Sequence, residues 1–346
     1  MGLHFYKLEE EMDNGDCESI KSKYTFIVGF GFLPDNPIQR EIQNIRRHSF
    51  FISLSLIFLM ITSSLLQRHN TYFLRIFDIL KNSIVNSIIL IGITLLTFGI
   101  VFSFYNKIMQ RDLMSQLRKK NDKVRFISIL CYVVIFLGMT SINSITASLF
   151  TNILNFINIH PKEKIIIIPK TPIEIVFYII AWCVIPAILE ELFFRGALLG
   201  VLKKFGGMFA LLTTSMLSAI FHGELIQFPG LFLSGFLLGC VTLHSNNLMV
   251  PIMMHSTSNV CLLLLNRFYT SKGKIILYIV MTLSIIATLI LIIVSRKRDK
   301  MVTDLTLTNS QLSMKIKQRV FFTSNPMLML MLIAFIQFIS SVQLVF

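Results

Sequence analysis

Charged residues are scarce in this chain of 346 residues: they make up 14% of it, against about 25% in an ordinary soluble domain. Hydrophobic residues make up 54%, and the mean hydropathy is +0.72. A soluble domain of this size would not have such a composition. The sequence therefore predicts an all-α protein, a polytopic bundle of transmembrane helices embedded in the lipid bilayer.

Acidic residues are the scarcer kind of charge, with 18 Asp and Glu against 32 Lys and Arg. The formal net charge of +14 could suggest a nucleic-acid partner. The basic residues, however, lie in blocks between apolar runs, which is typical of loops on the cytoplasmic side of a membrane protein. We therefore expect no nucleic-acid partner.

Several motifs are absent as well. The five cysteines are an odd number without close spacing, so they indicate neither a disulfide framework nor a CxxC metal site. No HExxH, GxSxG or phosphate-binding loop occurs, which argues against zincins, serine hydrolases and ATPases. The inverted repeats and paired broken helices of many transporters are also missing, which leaves a transporter as a weaker hypothesis.

Apolar runs predict eight to nine membrane spans, of which the fifth and sixth are short. Lys and Arg residues number six before the first span, seven in 106–125, two at Lys203 and Lys204, and seven in 296–319. The loops assigned to the other side hold three or fewer each. This alternation predicts a cytoplasmic N-terminus and a C-terminus outside. The predicted spans are Ser49 to Leu66, Ile84 to Tyr105, Phe126 to Phe150, Ile173 to Leu199, Met208 to His222, Phe228 to Leu243, Leu248 to Leu265, Ile275 to Ser295 and Met327 to Phe346.

Three charges lie inside the fourth predicted span, at Glu190, Glu191 and Arg195. A charge near the bilayer centre costs about 2.5 to 3.5 kcal/mol on insertion scales, so it usually faces a bundle interior and marks function. Glu191 and Arg195 are one helical turn apart and can pair. Glu190, offset by about 100° around the helix, is left without a local partner.

Two further polar clusters lie in neighbouring spans, at His222 and at His255 with Asn259. A carboxylate beside an imidazole can deprotonate a water, and a second imidazole with an amide N–H can donate hydrogen bonds to an oxyanion. This set suits the hydrolysis of an amide bond. Pro186 and Pro251, each four residues before one of these polar groups, are expected to bend their helices and open a cavity.

Small residues in the sixth span, Gly235 and Gly239, form a GxxxG pair that predicts close helix packing.

The predicted depths of Glu190 and His222 in the membrane do not agree. Measured from a helix end near Leu199, Glu190 lies about 14 Å in, whereas His222 lies about 22 Å from Gly207.

Together these residues resemble a known family. The pattern Glu190-Glu191-x-x-x-Arg195, then His222, then Gly235-x-x-x-Gly239, then His255-x-x-x-Asn259 is similar to that of the CPBP family of intramembrane proteases, the CAAX proteases and bacteriocin-processing proteins related to the type II CAAX prenyl endopeptidase. The resemblance covers about a quarter of the chain. With the apolar runs and the charge pattern, it divides the chain into a cytoplasmic tail (1–48), N-terminal helices (49–150), a protease core (172–265) and C-terminal helices with a basic cytoplasmic loop (266–346).

The resemblance implies roles for matching positions. Glu190 would activate water with His222, while His255 and Asn259 would stabilise the oxyanion. Glu191 and Arg195 would order the site or contact the substrate. The chain departs from the family at Ser218, where Phe is usual, and this difference bears on the shape of the pocket.

The use of a metal stays open at this point. Members of the family are often called metalloproteases, and Glu190, His222 and His255 could offer three ligands to zinc. The set also works without a metal, and we favour a mechanism without one.

The sequence thus predicts an intramembrane endopeptidase in a plasma membrane, with bacterial origin suggested by its richness in Ile, Lys and Asn. Its substrate would be a peptide or membrane protein, such as a prenylated CAAX protein, a leader peptide or a pheromone precursor. The alternative is a non-catalytic immunity or binding protein of the same family.

Overall fold

The protein is described by a computed structural model that covers residues 26–27, 31–32, 36–76, 83–109, 126–162, 171–267, 283, 286, 310 and 312–344. These residues form a bundle of helices with two short antiparallel strand pairs. The helices are α1 (Pro37–Ile76), α2 (Ser83–Met109), α3 (Phe126–Phe156), α4 (Pro172–Phe205), α5 (Gly207–Phe221), α6 (Phe228–Ser245), α7 (Met249–Arg267), α8 (Met314–Phe322) and α9 (Asn325–Ser340), and the strands are β1 (Phe26–Ile27), β2 (Gly31–Phe32), β3 (Ile159–Pro161) and β4 (Val342–Leu344).

Among the described residues, four helices are long and apolar enough to cross a membrane: Pro37–Leu65, Ser83–Tyr105, α4 and α6. Helices α8 and α9, bent by 76° at a short break, would make a fifth span if they are counted together. Shorter apolar helices are Ile129–Gly138, α5 and Met249–Leu263. The predicted all-α membrane bundle is therefore confirmed.

The count of eight to nine spans stays a prediction. The predicted span from Ile275 to Ser295 lies outside the described residues except at positions 283 and 286. Every other predicted span overlaps a helix. The division into a tail, N-terminal helices, core and C-terminal helices likewise stays a prediction.

The interior between the helices is mostly aliphatic, with aromatic side chains at several contacts between helices. Phe193 and Phe194 of α4 are both fully buried, and Phe193 meets Phe98 of α2 edge-on with 6.3 Å between ring centroids. Phe209 of α5 meets Phe321 of α8 in the same way at 6.0 Å. Aromatic edge-to-face pairs add to the energy of area burial, so these rings join N-terminal and C-terminal helices to the centre of the bundle.

The outer surface of the bundle is apolar. On α9, Leu332 is 58% exposed and Phe335 is 60% exposed. Such large apolar side chains on an outer helix face suit contact with lipid chains, which are themselves apolar.

The bend between α8 and α9 is held by a serine of α1. Ser49, which is fully buried, donates its hydroxyl hydrogen bond to the Phe321 carbonyl and lies 2.6 Å from the Ser324 hydroxyl oxygen. A break in a membrane helix frees backbone groups that need partners. Ser49 supplies one, and so anchors α1 at the break.

Helix ends that the charge pattern assigns to one side of the membrane also lie together. His48 Nε2 is 2.7 Å from Lys204 Nζ, and Lys317 donates to the Phe205 carbonyl. At the opposite ends, β3 after α3 pairs with β4 after α9, with His160 opposite Gln343. The structure therefore agrees with the alternation of the spans, while the cytoplasmic assignment stays a prediction.

Reporter fusions test that assignment. The N-terminal end of α1 and the C-terminal end of α9 are assigned to opposite sides of the membrane. We therefore expect a reporter that works only in the cytoplasm to be active at the N-terminus and silent at the C-terminus. A reporter that works only outside should give the reverse pattern. Activity of both fusions on the same side would contradict the predicted topology.

Candidate active site

The acids at the centre of α4 lie between two irregular stretches of helix. Ile180–Val184 and Leu192–Leu198 are π-helical, and the α-helical piece Ile185–Glu191 lies between them. Pro186 follows the first stretch and has no N–H to donate to the preceding turn. A π-helical stretch thus directly precedes the helical piece that contains Pro186, a feature often found at functional sites, while the bend expected at Pro186 stays a prediction.

Pro251 does not bend its helix, contrary to the expectation. Helix α7 begins at Met249, so Pro251 lies in its first turn. An N–H there has no partner inside the helix, and proline is tolerated at no cost. The bend predicted at Pro251 was therefore wrong.

Glu191 is the most enclosed group of the site, with no exposed surface. Arg195 Nη1 donates to Glu191 Oε1 at 2.8 Å, and His255 Nδ1 lies 2.9 Å from the same oxygen. The distance suits a hydrogen bond that His255 Nδ1 donates to the carboxylate, since a carboxylate in its ionised form can only accept. Glu191 thus pairs with Arg195 as expected and also orients His255, which the sequence analysis did not anticipate.

The contact with Glu191 decides which nitrogen of His255 can act. With Nδ1 donating to the carboxylate, Nε2 is the nitrogen left for chemistry. Phe136 of α3 lies against the ring, with 6.5 Å between centroids. The orientation of the imidazole is therefore held from two directions.

Gly235 has a second function besides packing. Its carbonyl accepts a hydrogen bond from Arg195 Nη2 at 3.2 Å, so it holds the far side of the guanidinium. A methyl group at this position would lie 3.3 Å from Ser215 Cα and 3.5 Å from Arg195 Nη2. Glycine therefore allows α6 to approach both α5 and the buried arginine.

Glu190 faces a different histidine. Its Oε2 lies 3.7 Å from His222 Nε2, which is longer than a hydrogen bond. Glu190 is 9% exposed, and its Oε2 is buried and accepts no hydrogen bond from the described residues. A buried carboxylate oxygen without a partner is unfavourable for stability. Glu191 Oε2 is likewise buried without a partner among the described residues, but Glu191 Oε1 is shared by Arg195 and His255, so the two adjacent acids differ in how many close partners they have.

The depth mismatch between Glu190 and His222 is removed by the true end of α4. The span was predicted to end near Leu199, and the helix itself continues to Phe205. Glu190 therefore lies 15 residues from that end, and His222 lies 15 residues from Gly207. At 1.5 Å per residue both distances are about 22 Å, so the two side chains meet at the same depth.

A cavity of about 500 Å³ opens beside these groups. Its lining includes His222, His255, Asn259 and Arg195. Glu190 does not line the cavity, but it lies beside His222, which does. Asn259 Nδ2 donates to the Cys183 carbonyl at 3.4 Å, a long hydrogen bond that uses one of its two amide protons. The further lining residues are Phe136, Thr140, Ser144, Ala147, Ser218, Ile226, Gln227, Leu231, Ser234, Gly235, Leu238, Ser258 and Leu262.

Ser218 lines this cavity, so the departure from the family's usual Phe does fall at its wall. The adjacent ring of Phe221 packs instead between Phe194 and His222, at 5.8 Å from each. A residue smaller than Phe at position 218 leaves more room in the cavity.

The residues named as zinc ligands do not form a metal site in this arrangement. Among the described residues, no three His, Cys, Asp or Glu side chains are grouped so as to hold a metal ion. His255 directs Nδ1 toward Glu191, while Glu190 faces His222. The donor set is thus divided into two pairs, which does not fit a three-ligand zinc site.

Sequence reasoning missed Phe136, Gln227 and Gly223. Phe136 and Gln227 gave no signal, because an apolar residue in a span and a glutamine in a loop are both ordinary. Gly223 did give one, since glycine directly after a helix commonly ends it in the left-handed conformation. Gly223 has φ of 66° and its N–H donates to the Ile220 carbonyl at 3.0 Å, so it ends α5 at the candidate histidine.

Comparison with known families agrees with this region. Residues 172–261 match the family model described as type II CAAX prenyl endopeptidase Rce1-like. The match confirms the resemblance expected from the sequence, over the part of the chain that contains Glu190, His222, His255 and Asn259. No curated protein and no solved structure matches the chain.

The two adjacent acids should respond oppositely to neutralisation. Glu191→Ala leaves Arg195 buried without its counter-charge, so we expect unfolding in detergent to become easier by about 3 to 5 kcal/mol. Glu190→Gln removes a largely unpaired carboxylate and should leave stability unchanged or raised. Thermal and denaturant unfolding of the two variants measures the difference, and equal loss of stability in both would contradict the described pairing.

Proposed function

We propose that this membrane protein, which contains an Rce1-like segment, is an intramembrane endopeptidase that hydrolyses a peptide bond with a water activated by Glu190 and His222. The observation that carries the proposal is the division of the buried polar groups into two pairs beside one cavity, Glu190 with His222 and Glu191 with His255. Packing alone does not explain why a membrane interior holds so many costly groups around a cavity.

In the proposed reaction, Glu190 and His222 hold the attacking water and take one of its protons. The oxygen of the water bonds to the carbonyl carbon of the substrate and forms a tetrahedral intermediate. The C–N bond then breaks, and the proton held by the Glu190–His222 pair passes to the leaving amine. His222 is 32% exposed and Glu190 12% exposed at their side chains, and His222 also lines the cavity, so it connects Glu190 to the substrate.

The oxyanion would be stabilised by His255 and Asn259. Nδ1 of His255 is engaged by Glu191, so Nε2 can donate only when the ring is an imidazolium. The second amide proton of Asn259 supplies the other donor.

Glu191 and Arg195 would then serve as support. Arg195 bridges Glu191 and the Gly235 carbonyl, so the carboxylate that orients His255 is itself fixed from α6. This gives the preorganised donors that oxyanion stabilisation requires.

The substrate would be a peptide or membrane protein that reaches the cavity within the bilayer. A prenylated CAAX protein, a leader peptide and a pheromone precursor all fit this description. We place the protein in the plasma membrane of a bacterium with its N-terminus in the cytoplasm.

Comparative peptidomics of membranes tests the reaction. Glu190→Gln should abolish cleavage because the amide cannot take the proton of water, and the peptides released by the wild-type protein should disappear. Asn259→Ala should lower the rate about 10²- to 10³-fold through loss of an oxyanion donor. An unchanged peptide pattern in correctly folded Glu190→Gln would contradict the mechanism. If the protein protects cells as an immunity protein does and Glu190→Gln still protects them, the result would instead indicate a non-catalytic binding protein.

We further propose that hydrolysis needs no metal, since the donor set is split between two pairs. Activity of the purified protein should survive prolonged treatment with a chelator, and elemental analysis should detect no stoichiometric metal. Loss of activity on chelation, with recovery on adding zinc, would overturn this part of the proposal.

A further inference from the structure

The loop that follows His222 is held by the C-terminal helix, which lies far from it in sequence. The Leu225 N–H donates to Ser341 Oγ at 3.3 Å. The rings of Phe228 and Phe338 meet edge-on with 5.5 Å between centroids. The loop between α5 and α6 is therefore covered by the end of α9.

Gln337 makes the closest of these contacts. A methyl group built on Gly223 would collide with the Gln337 amide oxygen and lie 3.3 Å from its Cβ. The positive φ of Gly223 already disfavours any larger residue. The backbone directly after His222 therefore rests against Gln337 with no free space between them.

Gln337 is itself anchored to a second helix. Its Nε2 donates to Ser64 Oγ of α1 at 2.8 Å. The side chain thus bridges α1 and the loop after His222, and its amide is not free to move away from Gly223.

The same C-terminal segment is tied to the end of α3, a helix that also lines the cavity. Strand β4 pairs with β3, and the Lys162 N–H donates to the Ser341 carbonyl at 3.0 Å. Lys162 Nζ donates to the Ser340 carbonyl at 2.7 Å. Phe136, Thr140 and Ser144 on α3 line the cavity, so α3 and the loop after His222 share one support.

We propose that Gln337 is a positioning residue that holds the loop after His222, and through it sets His222 against Glu190. This inference rests on the proposed function and extends it to a part of the chain outside residues 172–261. His222 ends α5 directly before Gly223, so a shift of the loop changes the distance of 3.7 Å between His222 Nε2 and Glu190 Oε2. Misplacement of a reacting group by about 1 Å can lower a rate on the order of a hundredfold.

Replacement of Gln337 tests this role. Gln337→Leu keeps the bulk of the side chain but removes the hydrogen bond to Ser64. We expect kcat to fall about ten- to a hundredfold with little change in KM, measured on a synthetic peptide that spans a cleavage site found by the peptidomics comparison. Gln337→Glu, whose carboxylate can accept from Ser64, should keep most of the activity. Ile336→Ala, at a neighbouring position that is 57% exposed, is the matched control.

Hydrogen exchange gives a readout that does not need cleavage. Backbone amides of 222–228 should exchange faster in Gln337→Leu, while those of 314–322 should keep the wild-type rate. Ser341→Ala, which removes the contact with Leu225, should have a smaller effect in the same direction and serves if Gln337→Leu folds poorly.

The outcomes separate the two proposals. Unchanged exchange at 222–228 in both variants overturns the role of Gln337, whether or not the protein cleaves peptides. Faster exchange with an unchanged kcat also overturns it. A wild-type protein that cleaves nothing removes the proposed function, and the exchange rates then still decide whether Gln337 fixes the loop.

Discussion

The structure depends on one buried carboxylate that three helices share. Glu191 on α4 accepts from Arg195 and from His255 on α7, while Arg195 also reaches the Gly235 carbonyl on α6. A charge inside a membrane protein is tolerated only where partners surround it. The positions of α6 and α7 against α4 are therefore tied to this network, and the orientation of His255 follows from it.

Neighbouring acids in one helical piece have different environments because they point in different directions. Glu191 is enclosed and its Oε1 is shared by Arg195 and His255, whereas Glu190 faces His222 at 3.7 Å. Each acid also keeps a buried Oε2 without a hydrogen-bond partner among the described residues. Groups left poorly satisfied in an otherwise well-packed interior are expected at functional sites, where stability is given up for reactivity.

Irregular backbone occurs around the same region. The π-helical stretches lie on both sides of the acids, the second of them largely buried, and the break between α8 and α9 is partnered by Ser49. Departures from regular helix expose backbone groups that lipid cannot satisfy, so they occur where other helices can. In α4 the irregular stretches directly flank the two acids of the candidate site.

The sequence by itself determined the membrane bundle, most helix positions and the Glu191–Arg195 pair, because hydropathy and the helical repeat are local properties. It also identified His222, His255 and Asn259 as the polar groups that needed explanation. Only the tertiary structure decided that α4 continues to Phe205, that His255 bonds Glu191, and that Gln337 rests against Gly223. These depend on how helices distant in sequence meet, and no local pattern encodes the distances between them.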